Sequence, residues 1–260
     1  MHKRGQIAIF VIIAILIVGA ISAFVLFSTG TIQAPVSAED AQRIVASEVG
    51  PVKDLVTKCV KSAYDESALK IGLQGGYCSP VPVKNIKLGN YSLPYLVQKS
   101  GADYSNNILL LEGNGATITS EIDRCIDIEK ITKCIDNFRS FKDVSVKPAG
   151  KLTWSVVITP PIAITLNIKY PLTISRGDAS SSVNEMSTQT KTGLMSAYAV
   201  AVSVVNSEIK EHDFNMDEFA RKNLDVRMDR QGTPEAIYYY LTTTPLEDEG
   251  EYNFNFAVDR

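Results

Sequence analysis

Histidine is nearly missing from this 260-residue chain, which holds only His2 and His212. A His-based catalytic triad or a histidine-containing zinc set has almost no material to be built from. His212 lies in Lys210-Glu211-His212-Asp213, a charged helix end where an imidazole is solvated. An excess of positive charge is missing too: 26 Lys and Arg face 29 Asp and Glu, for a net charge of −3. With no basic patch, a nucleic-acid partner has no electrostatic footprint. The four cysteines include no Cys-x-x-Cys. One long stretch lacks charge altogether, because residues 7–27 contain no Asp, Glu, Lys or Arg and a single hydroxyl, Ser22.

That uncharged stretch organises the rest. About 21 residues at a rise of about 1.5 Å each reach roughly 31 Å, the thickness of a bilayer hydrocarbon core. A helix apolar all round needs an apolar solvent on every side, so the sequence predicts a transmembrane helix over 6–28. His2, Lys3 and Arg4 precede it, and the next basic residue is Arg43. The short positive end therefore stays in the cytoplasm and the remainder lies outside, a single pass of the cell membrane. The run also exceeds the roughly 7–15 apolar residues of a removed signal peptide. Gly19 and Ala23, four apart, are small residues at a spacing that lets helices approach closely. They make copies of the same chain one expected partner, beside the membrane itself.

Lys3-Arg4-Gly5-Gln6, with the apolar span starting at once, resembles the class III signal sequence of archaeal type IV pilin-like precursors. The resemblance covers about the first 27 residues. It implies a prepilin-type peptidase cutting between Gly5 and Gln6, with the apolar helix kept as the assembly stem of the mature subunit. The bacterial pilin pattern differs, since it has an aromatic residue first and a Glu fifth after the cut, where this chain has Gln6 and Phe10. Farther on, Gln74-Gly75-Gly76-Tyr77 follows a Cys-bearing amphipathic helix. That arrangement resembles membrane-anchored surface proteins of small-celled archaea, and it implies location without chemistry. As a phosphate cradle the same loop lacks a Lys and a strand-to-helix setting.

Four cysteines in an exported chain point to disulfides. Residues 29–38 read as a polar spacer. From Glu39, apolar residues at three- and four-residue intervals predict amphipathic helix, broken at Gly50-Pro51 into 39–49 and 51–71. Strands are predicted over 83–88 and 93–98 across Gly89-Asn90, where Asn90-Tyr91-Ser92 forms a glycosylation sequon. A helix opening at Thr119-Ser120 holds Cys125 and Cys134. Nine residues of straight helix hold these about 13 Å apart, beyond the reach of a bridge, unless the helix breaks near Asp127. Two pairings survive. Cys59 with Cys134, both mid-helix on apolar faces, is preferred, leaving Cys78 with Cys125.

The period then changes from helical to two. Leu152, Trp154, Val156 and Ile158 alternate with Thr153, Ser155, Val157 and Thr159, and the even positions from Ile162 to Ile174 are all apolar, so a sheet with one buried face is expected. Pro171 places an edge or a bulge within it. The Ser- and Thr-rich stretch 176–192 reads as a mobile loop. A helix over 193–211 covers the sheet, a short helix follows over 216–223, and strands are expected over 224–228, 236–243 and 251–258. In the last strand Tyr252, Phe254, Phe256 and Val258 face inward. The acidic turn 244–250 reads as a solvated loop rather than a calcium site, and no motif for a metal or cofactor is found.

Ser67-x-x-Lys70, Ser105-x-Asn107 and Lys191-Thr192-Gly193 match in order three short elements of penicillin-recognising acyl-transfer enzymes. Their setting argues against that chemistry, because Ser67 stands near a helix end and Lys191 precedes a helix instead of lying on a strand. The expected class is α+β: an N-terminal transmembrane helix, amphipathic helices, and a mostly antiparallel sheet head covered by helices. Its parts are a leader 1–5, the span 6–28, a linker 29–38, a disulfide-bearing stem 39–143 and a head 144–260. The expected function is that of a non-enzymatic, pilin-like subunit of an extracellular filament. The alternative is an anchored, non-polymerising surface protein with a binding or adhesion role.

Overall fold

The computed structural model describes residues 17, 37–111, 113, 116–159, 163–211, 213–222, 225–244 and 251–260. Gly5, Gln6, Gly19, Ala23, His2, His212 and, apart from Ile17, the apolar run 7–27 lie outside those residues. So do residues 245–250 of the acidic turn. Among the described residues no helix is long and apolar enough to cross a membrane.

Helix α1, Ala38–Leu73, is 36 residues long, which at about 1.5 Å per residue spans roughly 54 Å. Ser37 caps it by accepting the Asp40 N–H at 3.1 Å, and Glu39 and Asp40 complement the positive end of the helix dipole. The predicted break at Gly50-Pro51 does not occur, since the helix continues through Pro51. Two local features allow it. Gly50 has no Cβ to meet the proline ring, and the Ser47 carbonyl left without a donor sits on the exposed side, open to water. Val45, Val52 and Val56 are fully buried across the interruption. At roughly 1.5–3 kcal/mol each, they outweigh the cost of about 3 kcal/mol for an internal proline.

Two sheets pack against this spine. The first holds β1 (Asn85–Leu88), β2 (Tyr91–Ser100), β3 (Asp103–Asn106), β8 (Val226–Gly232), β9 (Ala236–Thr243) and β10 (Asn253–Asp259), in the order β1-β2-β10-β9-β8 with β3 also on β2. β10 runs parallel to β2 and antiparallel to β9, so residues on both sides of position 144 share this sheet. The inward set Tyr252, Phe254, Phe256 and Val258 is buried, and so are Asn255 and Ala257. The reason is that β10 is internal, and Ala257 packs with Leu93, Tyr95 and Ala236 on the second face.

The second sheet is wholly antiparallel: β4 (Ser145–Pro148), β5 (Thr153–Thr159), β6 (Ala163–Arg176) and β7 (Ala179–Lys191). β7 follows one edge of β6, while β5 and β4 share the other. At Pro171 the β6–β7 register slips between Lys169 and Leu172, a bulge that absorbs the missing donor. The stretch expected to be a mobile loop is therefore strand β7. Its Ser- and Thr-rich composition concealed an alternation in which Val183, Met186 and Thr190 turn inward. Helix α4 (Leu194–Glu211) covers β9 and β10, and the short α5 (Met216–Lys222) follows it.

Cys59 is joined to Cys134, and Cys78 to Cys125. The single helix predicted over both later cysteines is two, α2 (Ile118–Cys125) and α3 (Ile128–Ile135). The chain turns extended at Ile126, and the Asp127 carboxylate caps α3 from the Glu129 and Lys130 N–H groups. The first bridge thus fixes α3 to the middle of α1, and the second fixes the end of α2 to the segment leaving α1.

Candidate functional site

Along its middle, α1 turns Val52 and Val56 into the core and leaves Lys53, Asp54 and Thr57 beside them, less buried. Where the helix passes the second sheet, the register sets Trp154 level with Ile168 and Met186, and Thr153 level with Lys169 and Glu185. A groove of about 990 Å3 lies between them, its helix wall made of Lys53, Asp54 and Thr57. On the strand side Trp154 shares the core-facing side of β5–β7 with Ile168 and Met186, whereas Asn167, Lys169 and Glu185, exposed and one residue out of phase, belong to the opposite face. Trp154 is the chain's one tryptophan. It is half-buried and packed against the core.

The charged side chains beside this groove are exposed to solvent. Elsewhere some opposite charges pair closely, as Lys84 does with Asp259 at 2.8 Å and Arg230 with Asp213 at 2.8 Å. Lys53, Asp54, Asn167, Lys169 and Glu185 have no side-chain hydrogen bond or ion pair among the described residues, although Lys169 and Glu185 are direct cross-strand partners. A second, more apolar hollow of about 450 Å3 lies between α3 and β4, lined by Ile135, Phe138, Val146 and Tyr170. No family model, no curated protein and no solved structure matches this chain.

Of the motifs singled out in the sequence, Gln74-Gly75-Gly76-Tyr77 is a structural corner. Buried Gln74 donates to the Tyr77 carbonyl at 3.1 Å and accepts from the Ser79 hydroxyl at 2.7 Å and the Ser92 N–H at 3.2 Å. Gly75 and Gly76 take φ of +58° and +96°, a region that favours glycine. The Tyr77 hydroxyl donates to the Asn107 carbonyl, and burial, followed by the nearby Glu121 carboxylate, pushes its pKa up to about 12. Glu121 in turn accepts the Cys78 N–H at 2.7 Å and pairs with Arg124.

The acyl-transfer elements are engaged separately, although Lys191, expected to precede a helix instead of lying on a strand, is the last residue of β7. Ser67 is buried and donates to the Ala63 carbonyl at 2.8 Å, while the Lys70 ammonium pairs with Glu66 at 3.3 Å. Thr192 caps α4 by accepting the Leu194 N–H, and Ser105 lies exposed in β3. Asn90 is exposed at the tip of the β1–β2 hairpin beside Gly89, whose φ is +60°. Among the described residues there is no cluster of three His, Cys, Asp or Glu side chains able to hold a metal.

Two acids were missed from the sequence. Glu208 is buried on α4, accepts from the Tyr239 hydroxyl and lies 3.7 Å from Arg230. Arg230 also reaches over the Tyr239 ring and bonds Asp213, whose carboxyl its hydrogen bond holds below the usual range. An acid at the stripe position after Ala201, Val204 and Val205 was the signal available. The cluster is internally satisfied and braces α4 on β8 and β9.

Asp123 is the other, with a buried Oδ1 lacking any hydrogen-bond partner. Burial lifts its pKa from the ordinary 3.8 to about 6. The folded chain therefore binds this proton more tightly than the unfolded chain. Its stabilising effect is complete below about pH 4, is lost as pH rises toward about 6, and leaves a constant penalty above that. Asp123→Asn is expected to raise stability at pH 7 by on the order of 1 kcal/mol, a figure reduced for solvent screening of a half-exposed group. Urea melts should show that gain at pH 7 and not at pH 4; an equal difference at both would contradict the assignment.

Proposed function

We propose that this protein is a surface subunit of pilin-like type. The helix over 6–28 crosses the cell membrane with residues 1–5 in the cytoplasm and packs with copies of itself into a filament, while the α+β head is displayed outside. The observation that carries the reading is the uncharged run 7–27, followed after about ten residues by the Ser37-capped helix that forms the spine of the head. A helix so placed joins the membrane-embedded end of the molecule to both sheets at once. The two disulfides support an oxidising compartment. No catalytic step belongs to the reading. On the outer side of the membrane, the exposed Asn90 is a site for attached glycan.

One observation favours a second reading, an anchored protein that binds or adheres without polymerising: Phe10 stands where bacterial pilins carry a carboxylate. The mature N-terminus separates the two. Mass spectrometry of the native protein is expected to find Gln6 first, after cleavage behind Gly5, if subunits assemble. An intact Met1 supports the plain anchor, and a mature chain lacking residues 7–27 contradicts both.

A further inference from the structure

With the head outside the membrane, the proposal on which this rests, we infer that the face of the first sheet turned away from α1 holds a neutral glycan attached at Asn90. Strand register defines that face. Tyr238, Tyr240 and Thr242 of β9 stand opposite Ala257, Asn255 and Asn253 of β10, and Ala257 stands level with Tyr95 of β2. Side chains two apart along a strand share a face, which adds Leu93 and Tyr91. Burial agrees, because Leu93, Tyr95, Ala236 and Ala257 form a cluster whose other members, Ile86, Leu88 and Tyr238, also come from strands. α1 and α4 pack on the opposite face, where Tyr252 bonds the Ala68 carbonyl and Tyr239 bonds Glu208.

This face presents rings and amides. Its Leu93, Ala236 and Ala257 are sealed, whereas Tyr91, Tyr238 and Tyr240 are half-buried. Burial first, and then neighbouring Tyr91, Tyr238 and Asp229, raise the Tyr240 pKa, so the three rings lie near one another. Beside Tyr240, Asn255 is only 5% exposed, and its amide has no hydrogen-bond partner among the described residues. An amide so buried gains from a ligand group that both donates and accepts, as a sugar hydroxyl does. Tyrosine rings combine an apolar face, against which the C–H side of a sugar packs, with a polar tip.

Charge and position select the occupant. The flanking cations are paired, Lys84 with Asp259 at 2.8 Å and Arg227 with Glu251 at 3.0 Å, which leaves no open fork for an anionic ligand. An apolar protein surface would find the aliphatic side chains already covered. Asn90, at the exposed hairpin tip, is next in the chain to Tyr91. From Tyr91 across β10 to Tyr240 is two strand spacings, roughly 10 Å, a length covered by a short run of linked sugars. So short a tether gives an effective concentration of about millimolar, at which weak ring contacts keep the glycan docked.

The full chain carrying its glycan is compared with Asn90→Gln, which cannot carry one, by nitrating tyrosines and mapping the products by mass spectrometry. Tyr91, Tyr238 and Tyr240 are expected to react about threefold faster in Asn90→Gln. Tyr104, which packs on the opposite face, should react equally in both proteins. Buried Tyr252 should react in neither, which verifies the fold. With the glycan in place, Tyr240→Ala should bring Tyr91 and Tyr238 close to the Asn90→Gln rate. Equal nitration of the three tyrosines in both proteins would overturn the inference, as would an outward-facing chain whose Asn90 carries no glycan. A head found on the cytoplasmic side by protease accessibility would overturn both the inference and the proposal beneath it.

Discussion

Gly72→Ala is expected to lower the stability of the folded head by about 2–4 kcal/mol, although alanine is the better helix former by about 1 kcal/mol. Gly72 is where α1 meets β10 backbone to backbone. A Cβ at this position would lie 2.1 Å from the Asn253 carbonyl oxygen and 2.8 Å from the Tyr252 ring. The carbonyl belongs to β10, where Asn253 pairs with Thr242 of β9, and it cannot retreat without disturbing that ladder. Tyr252 is held as well, by its hydroxyl donating to the Ala68 carbonyl at 3.1 Å. The helix must therefore lift, unseating Ala68 and Ile71. Urea melts of the oxidised protein measure the loss, and Gly232→Ala, whose Cβ meets nothing within 4 Å, should stay within about 0.5 kcal/mol of the parent. Equal stability of the Gly72 and Gly232 variants would contradict the close approach.

The second large effect is expected from joint replacement of Cys59 and Cys134 by alanine. This bridge spans 75 residues, but the Cys78–Cys125 bridge is nested inside it and already closes 47 of them. The loop released is thus effectively about 28 residues. Loop-closure entropy then places the loss at about 3–4 kcal/mol, below the figure of about 4.5 kcal/mol for an isolated 75-residue loop. The surroundings add little, because the Lys130–Glu66 ion pair beside the bridge is exposed. A fall in urea midpoint in the double variant is the expected result, with a fall at least as large in the parent on reduction, which opens both bridges. An unchanged midpoint would mean that α3 is held to α1 by packing alone.

Features governed by local pattern were legible in the sequence. The alternation from Trp154 to Ile174 reports a sheet with one buried face because side chains of a strand alternate sides. Pro171 marks a bulge because proline has no N–H to give. The β1–β2 hairpin shows in Gly89-Asn90, whereas the single helix assumed over Cys125 and Cys134 breaks at Ile126 and Asp127, so helix reach did not decide that pairing. Features decided by distant partners were not legible. β7 is polar enough to resemble a loop and becomes a strand because β6 offers its entire edge. α1 survives Pro51 because the apolar stripe on either side of it is buried. The pairing of β10 with β2 joins segments about 160 residues apart, and no local signal records it. For the same reason the groove could not be anticipated: Lys53 and Trp154 border one hollow only after the second sheet has docked on α1.

The central claim is that an uncharged N-terminal helix holds a disulfide-bonded head on the outer side of a membrane. Protease added to intact cells expressing the full chain tests it most directly. The account predicts that residues beyond about 37 are digested without permeabilisation, leaving a membrane-bound fragment that contains 7–27. Protection of the head until the membrane is opened, or recovery of the undigested chain in the soluble fraction, would contradict it.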